Sequence, residues 1–269
     1  MALPELRSIL AGGRTLAWRE SGAGVAVVLL HGIGSGSASW RGQLDGLGAD
    51  YRVIAWDAPG YGGSDALDDD TPAVADYAQA VADLLDALDV GPVHLVGHSL
   101  GSLVAAAFAA PRADRLLSLT LASPTRGYAA AGDDVRVDGL AARIGLIDDL
   151  GPAGMAEARA HNLLSPDAPP EALENIRGVM AALRPDGFKQ AARMMYSTDI
   201  MADARAVSVP AMVMCGGADT VTPEDLARSI AVAMPGAEYH TLDGLGHASY
   251  VENPEAFNAP LRAFFRSIA

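Results

Sequence analysis

The pentapeptide Gly97-His98-Ser99-Leu100-Gly101 constrains this chain more than any other stretch. It closes residues 93–97 (VHLVG), an apolar run suited to a buried strand, and opens an Ala-rich segment, 99–110, suited to a helix. A strand that passes directly into a helix through one serine forces a strained backbone on it and lifts its hydroxyl clear of the sheet. Strand and helix then run so close that the residues two before and two after must be tiny, and both are glycine. The plainer reading is an ordinary strand-to-helix turn in which Ser99 only caps the helix.

The surrounding sequence supplies a matching alternation. Residues 25–31 (VAVVLLH) are the continuous apolar run that a strand covered on both faces requires, and 38–48 reads as a short helix. Residues 51–57 (YRVIAWD) give the next strand. Val74, Tyr77, Val81, Leu84, Leu85 and Leu88 then recur at helical spacing. With a further strand at 116–122, this order predicts an α/β fold with a parallel sheet. From 125 to 206 the chain shows helical stretches broken by Gly and Pro, without a convincing buried strand. The sheet pattern resumes at 210–216 (PAMVMCG), followed by a helix at 223–234, a strand at 238–242 and a helix at 254–267. An interruption of about eighty residues is too long for an ordinary loop. Residues 1–124 and 207–269 are therefore expected to form one core domain, with 125–206 inserted as a helical unit.

Half of the 269 residues are apolar (50%), which suits a buried core and excludes a disordered chain. A single cysteine excludes a disulfide framework or a cysteine-rich zinc module. The 33 acidic and 19 basic side chains leave a formal charge of −14, which repels phosphate backbones and anionic lipids. Neither nucleic acid nor a membrane is an expected partner. The longest clean apolar run, Val25 to Leu30, is far below the ~20 residues of a membrane span. Met1 to Leu10 lacks the pattern of a secretory signal. A cytoplasmic protein acting on a small molecule is expected, with a homodimer left open. Asp68 to Asp70 reads as a solvated loop.

A serine hydroxyl is a weak nucleophile until a base takes its proton, and that base needs an orienting carboxylate. On a sheet of this kind the acid follows the serine and the histidine comes last. Asp219 stands in Gly216-Gly217-Ala218-Asp219, and His247 in Gly244-Leu245-Gly246-His247. Both fall in glycine-rich loops at the carboxyl ends of strands, the edge where open α/β sheets place their sites. Among the other histidines, His94 and His240 lie within strands and His161 in the insertion. His98 is held beside Ser99, and His31 reads as a loop-orienting residue. Asp225 sits on a helix, and Asp243 is too near His247 in sequence to bridge easily. A tetrahedral intermediate also needs two N–H donors. The Leu100 N–H, at the positive end of a helix, is one. His31-Gly32-Ile33-Gly34 offers the other, with Ile33 first and Gly34 as its neighbour.

These loops, with the turn Asp57-Ala58-Pro59-Gly60-Tyr61-Gly62-Gly63-Ser64, resemble the α/β-hydrolase superfamily over nearly the whole chain. The resemblance implies a mostly parallel eight-stranded sheet flanked by helices, with 125–206 as a cap over the active site. It also implies catalytic Ser99, Asp219 and His247, a supporting role for the Asp57 to Ser64 turn, and no metal or organic cofactor. Serine at position 99 argues against the epoxide hydrolases and haloalkane dehalogenases of the superfamily, which attack with aspartate. The chain is similar to small bacterial esterases, 3-oxoadipate enol-lactonases and the C–C bond hydrolases of ring-fission (meta-cleavage) products. The glycine-rich loop with Trp40 resembles the last group. Gly34-Ser35-Gly36 and Ala248 depart from it, and the stretch 184–199 looks more like lactonases and esterases. The implied activity is cleavage of a carboxylic ester or lactone of a small, mainly apolar substrate through an acyl-enzyme. Hydrolysis of a ring-fission product is the alternative.

The insertion offers further candidates. Arg177, Arg184 and Arg193 are cations suited to a substrate carboxylate, and each also reads as a surface or ion-paired arginine. Met194, Met195, Tyr196 and Met201 suit an adaptable apolar pocket or the packing of the insertion on the core. Gly32, Trp40, Arg193, Met195 and Tyr196 are the expected substrate contacts, and Cys215 is expected to be inert in the core. Two other classes compete. Gly32, Gly34 and Gly36 with Asp57 imitate a dinucleotide-binding fingerprint, but its third glycine falls on Ser37. A ligand sensor that keeps the hydrolase fold is the second, and turnover on ordinary esters separates it.

Overall fold

The computed structural model describes residues 2–268. Eight strands build one sheet: β1 (Arg7–Ala11), β2 (Arg14–Ser21), β3 (Ala26–Leu30), β4 (Arg52–Asp57), β5 (Val93–His98), β6 (Leu116–Ala122), β7 (Ala211–Gly216) and β8 (Glu238–Leu242). Their spatial order is β1-β2-β4-β3-β5-β6-β7-β8. β2 pairs antiparallel with both β1 and β4, and the remaining neighbours run parallel. Every residue of β3, β5 and β7 is buried, as expected of parallel strands covered on both faces. The fold is thus the α/β architecture that the alternating pattern predicts.

The first two strands carry no such signal. β1 and β2 form an edge hairpin whose register closes Ala11 on Arg14 around Gly12 and Gly13. Both glycines have positive φ, 55° and 81°, as a tight two-residue hairpin turn requires. β1 is half-exposed at the sheet edge, so it has no apolar run to read.

The helices are α1 (Arg41–Gly46), α2 (Val74–Ala87), α3 (Leu100–Ala109), α4 (Gly139–Arg159), α5 (Pro170–Ala181), α6 (Pro185–Tyr196), α7 (Met201–Ala206), α8 (Glu224–Ala233), α9 (Ser249–Glu252) and α10 (Pro254–Ile268). A short 3-10 turn, Ser37–Trp40, precedes α1, so the helix expected over 38–48 is split. α1 packs on α10, and α2 on α3. Between β6 and β7 the described chain forms helices, α4 to α7, joined by loops and no strand, with a kink in α4 where Gly151 takes φ 63° ahead of Pro152. No helix among the described residues is long and apolar enough to cross a membrane.

Candidate active site

Ser99 sits between β5 and α3 with φ 53° and ψ −115°, a left-handed backbone that costs a non-glycine residue of order 1–3 kcal/mol. The neighbours hold it there. Its N–H donates to the Ala122 carbonyl (3.0 Å), and Ser102 Oγ donates to the Ser99 carbonyl. A Cβ on Gly97 would stand 2.3 Å from the Gly101 carbonyl oxygen, and one on Gly101 would stand 2.3 Å from that of Leu30. Both glycines are therefore demanded by the close pass of strand and helix. Leu100 opens α3, so its N–H is one of the four without an intrahelical acceptor.

The loops after β7 and β8 bring the next two residues together. His247 Nδ1 lies 2.8 Å from Asp219 Oδ2, and both side chains are buried. Asp219 Oδ1 accepts the N–H groups of Val221 (2.8 Å) and Thr222 (2.9 Å), a turn closed by the aspartate itself. The Thr222 hydroxyl lies 2.9 Å from Asp219 Oδ2, 3.1 Å from His247 Nδ1 and 3.1 Å from the Ser123 carbonyl. Burial alone would raise the Asp219 carboxyl. The hydrogen bond and charge of His247, with the Thr222 donors, outweigh it and hold the group down at about 2. Asp219 is thus an ionised acceptor that fixes the proton of His247 on Nδ1 and turns Nε2 outward.

Ser99 and His247 line the same cavity, of about 650 Å³. Among the described residues no hydrogen bond joins them; bonds of this type commonly tighten only with substrate in place. The two loops are nevertheless tied together through His98, whose Nε2–H donates to the His247 carbonyl at 2.9 Å. Burial, and then His247, push the His98 imidazole down to about 3, so it stays neutral in this role. Glu252 adds a second tie: its Oε2 accepts the N–H of Gly246 and of Ser165, both at 3.0 Å, joining the His247 loop to the segment after α4.

The loop after β3 faces the same point. A Cβ on Gly32 would stand 3.2 Å from Ser99 Cβ. His31 Nε2 accepts the Ala58 N–H (3.0 Å), so its proton sits on Nδ1 and is donated to the Gly32 carbonyl (2.8 Å). Pinning that carbonyl pins the trans peptide plane carrying the Ile33 N–H on its opposite edge. Tyr61 in turn donates to the Ile33 carbonyl at 2.9 Å, fixing the peptide of Gly34. The turn after β4 braces this loop: Asp57 Oδ1 accepts the Ser37 N–H at 2.7 Å, and Ser64 Oγ donates to the Asp57 carbonyl.

Several sequence candidates meet at this cavity: Gly32, Ile33, Gly34, Ser99, Met195, Tyr196 and His247 all line it. Others lie elsewhere. Trp40 is fully buried behind Tyr250, ring centres 4.1 Å apart, and Tyr250 takes its place in the wall. Arg193 donates to the Asp70 carbonyl, Arg184 to that of Ser64, and Arg177 pairs with Glu157. The pocket contact expected of Arg193 and Trp40 is thus corrected. Cys215 is buried, and burial, then Asp219, push its thiol up to about 12. Thr222 and Glu252 lie outside the sequence candidates, and Tyr61 enters only as part of the Asp57 to Ser64 turn. Thr222 leaves a trace as the last residue of an Asp-x-x-Thr turn ahead of a proline-led helix.

Comparisons with known proteins agree with this architecture. The model of the "Alpha/beta hydrolase family" matches residues 27–259. The chain is 26% identical to 3-oxoadipate enol-lactonase 1 of Acinetobacter baylyi, over 99% of this chain and 100% of that protein. It is 27% identical to a pimeloyl-[acyl-carrier protein] methyl ester esterase of Vibrio atlanticus, over 93% and 98% of the two chains. Among solved structures, a thermophilic esterase from Thermogutta terrifontis, in a malate-bound form, superposes with a TM-score of 0.89. It is 26% identical, with 98% of this chain and 99% of that chain covered. This chain therefore belongs to the alpha/beta hydrolase family, and it is a hydrolase.

Proposed function

We propose that this enzyme cleaves a carboxylic ester or lactone of a small substrate through an acyl-enzyme, with Ser99 as nucleophile, His247 as base and Asp219 as its orienting acid. The observation that carries the reading is the buried Asp219–His247 contact of 2.8 Å opening on a cavity shared with a conformationally strained Ser99. The esterase and enol-lactonase kinship supports the same class of bond.

Ser99 Oγ attacks the carbonyl carbon as its proton passes to His247 Nε2, and the C=O pair moves to the oxygen. The Asp219 carboxylate stabilises the resulting imidazolium. The N–H groups of Ile33 and Leu100 receive the oxyanion. Collapse expels the alkoxide, which takes the proton from His247. In a lactone this alkoxide stays tethered as a hydroxyl on the acyl group. Water, deprotonated by His247, then repeats the attack and releases the acid and free Ser99. In this reading 1–124 and 207–269 are the catalytic core, and 125–206, whose α4, α5 and α6 supply cavity-lining residues, is the cap.

The test is Ser99→Ala and His247→Ala on a series of p-nitrophenyl esters and an enol-lactone, with mass spectrometry for a trapped acyl group. Each variant should lose about a thousandfold or more in kcat while keeping its fold. A Ser99→Ala enzyme with undiminished turnover refutes the assignment.

A further inference from the structure

The chain carries 33 acidic side chains, yet among the described residues none lines the cavity of about 650 Å³, whereas Arg126, Arg143 and Arg159 do. Arg126 is already matched: its Nε and Nη2 donate to the two oxygens of Asp199 at 3.1 and 2.9 Å. Arg159 is exposed at the end of α4. Arg143, one turn into α4, is half-buried, and among the described residues no carboxylate pairs with it. Its guanidinium carbon lies 5.9 Å from the centre of the Tyr196 ring, which stacks on Tyr128 at 4.3 Å. Its Nε is buried with no hydrogen-bond partner.

We propose that Arg143 seats a carboxylate of the substrate, so that the ester or lactone cleaved here is an acid-bearing one; the inference rests on Ser99 being the nucleophile. A guanidinium stays charged at any working pH, and half-burying one without an anion is costly. A planar carboxylate accepting two parallel N–H bonds is the group whose shape and charge match it. The tyrosine pair holds the guanidinium plane in place, so little side-chain entropy is lost on binding. Arg143 borders the same cavity as Ser99 and the Ile33 loop.

The test uses two matched pairs: p-nitrophenyl hydrogen adipate against its methyl diester, with the carboxylate on the acyl side, and para-acetoxybenzoate against its methyl ester, with it on the alcohol side. In at least one pair the acid should be preferred about tenfold or more in kcat/KM. Arg143→Gln should remove that preference, and Arg143→Lys should retain part of it. Equal or better turnover of the neutral member in both pairs overturns the proposal, as does a preference untouched by Arg143→Gln. Should Arg143→Gln fail to fold, calorimetric binding of adipate against dimethyl adipate to Ser99→Ala decides: tighter adipate binding supports the seat, and equal or weaker binding overturns it. Full turnover by Ser99→Ala would sink the nucleophile assignment instead, separating the two failures.

Discussion

The backbone leaves no room for a side chain at Gly101, and that gives a sharp test of how the active-site loops are held. A Cβ there would meet the Leu30 carbonyl oxygen at 2.3 Å, the Leu30 carbonyl carbon at 2.8 Å and the His31 carbonyl oxygen at 2.9 Å. Ordinary contact begins near 3.4 Å, so α3 and the end of β3 must separate by about 1 Å. None of those atoms is the end of a flexible side chain. They belong to a strand hydrogen-bonded on both sides and to the peptide that leads into Gly32. Gly101→Ala should therefore fall in the exceptional class, destabilising by about 4 kcal/mol or more, or fail to fold. The control is the same change at Gly178, inside α5, where a new Cβ meets nothing within 4 Å. Gly178→Ala removes a helix-interior glycine and should stabilise by about 0.5–1 kcal/mol. Urea denaturation of the two variants gives the answer: a Gly101→Ala protein within 1 kcal/mol of wild type would refute the claim that this close pass fixes the site.

Two further outcomes follow from the polar contacts. Tyr61→Phe should leave the fold within about 1 kcal/mol of wild type. It should lower kcat roughly three- to tenfold with KM little changed, because only the pinning of the Gly34 peptide, next to the Ile33 N–H, is lost; steady-state kinetics beside a melting curve checks both. The Asp219 carboxyl is held at about 2 against an ordinary 3.8, so its contribution to stability is full above about pH 4 and fades as pH falls through 2. Acidification from pH 5 to 2 should therefore cost wild type about 2 kcal/mol more than Asp219→Asn, and parallel pH–stability curves would contradict this.

What the sequence discloses and what it hides divide along a physical line. β3, β5 and β7 are buried on both faces, so each is an unbroken apolar run that can be read without knowing its neighbours. Gly97 and Gly101 are legible for a similar reason: the elbow dictates their size locally. The β1–β2 hairpin is missed because an edge strand owes its place to one neighbour and keeps one side in water. The walls of the cavity are harder still. Which arginine faces inward depends on how α4 is rotated, and a two-residue change in the kink at Gly151 would present a different set. Arg177, Arg184 and Arg193 carry the same charge as Arg143, yet each finds a partner outside the cavity. Trp40 is misjudged because the 3-10 turn that carries it rolls the indole beneath Tyr250.

The three buried histidines around the site show how one residue type takes three roles. His31 uses both ring nitrogens, donating from Nδ1 and accepting at Nε2, and burial holds it neutral. His98 carries its proton on the other nitrogen, donated to the His247 carbonyl, and is likewise pushed down by burial. Protonating either ring would put a proton against an existing donor or into an unpaired buried position, so each is closed to proton exchange. His247 differs in that its bonded nitrogen faces a carboxylate rather than a carbonyl. Its Nε2 has no hydrogen-bond partner among the described residues, and the ring borders the cavity. Of the three imidazoles beside Ser99, only that of His247 combines a free lone pair with a counter-charge behind it. The neutral pair supplies rigidity: one fixes the peptide of Ile33, and the other ties the His247 loop to the Ser99 turn. The proposed mechanism, which needs a strained serine, an oxyanion loop and a base in register, thus gains from keeping two of the three imidazoles at this site neutral.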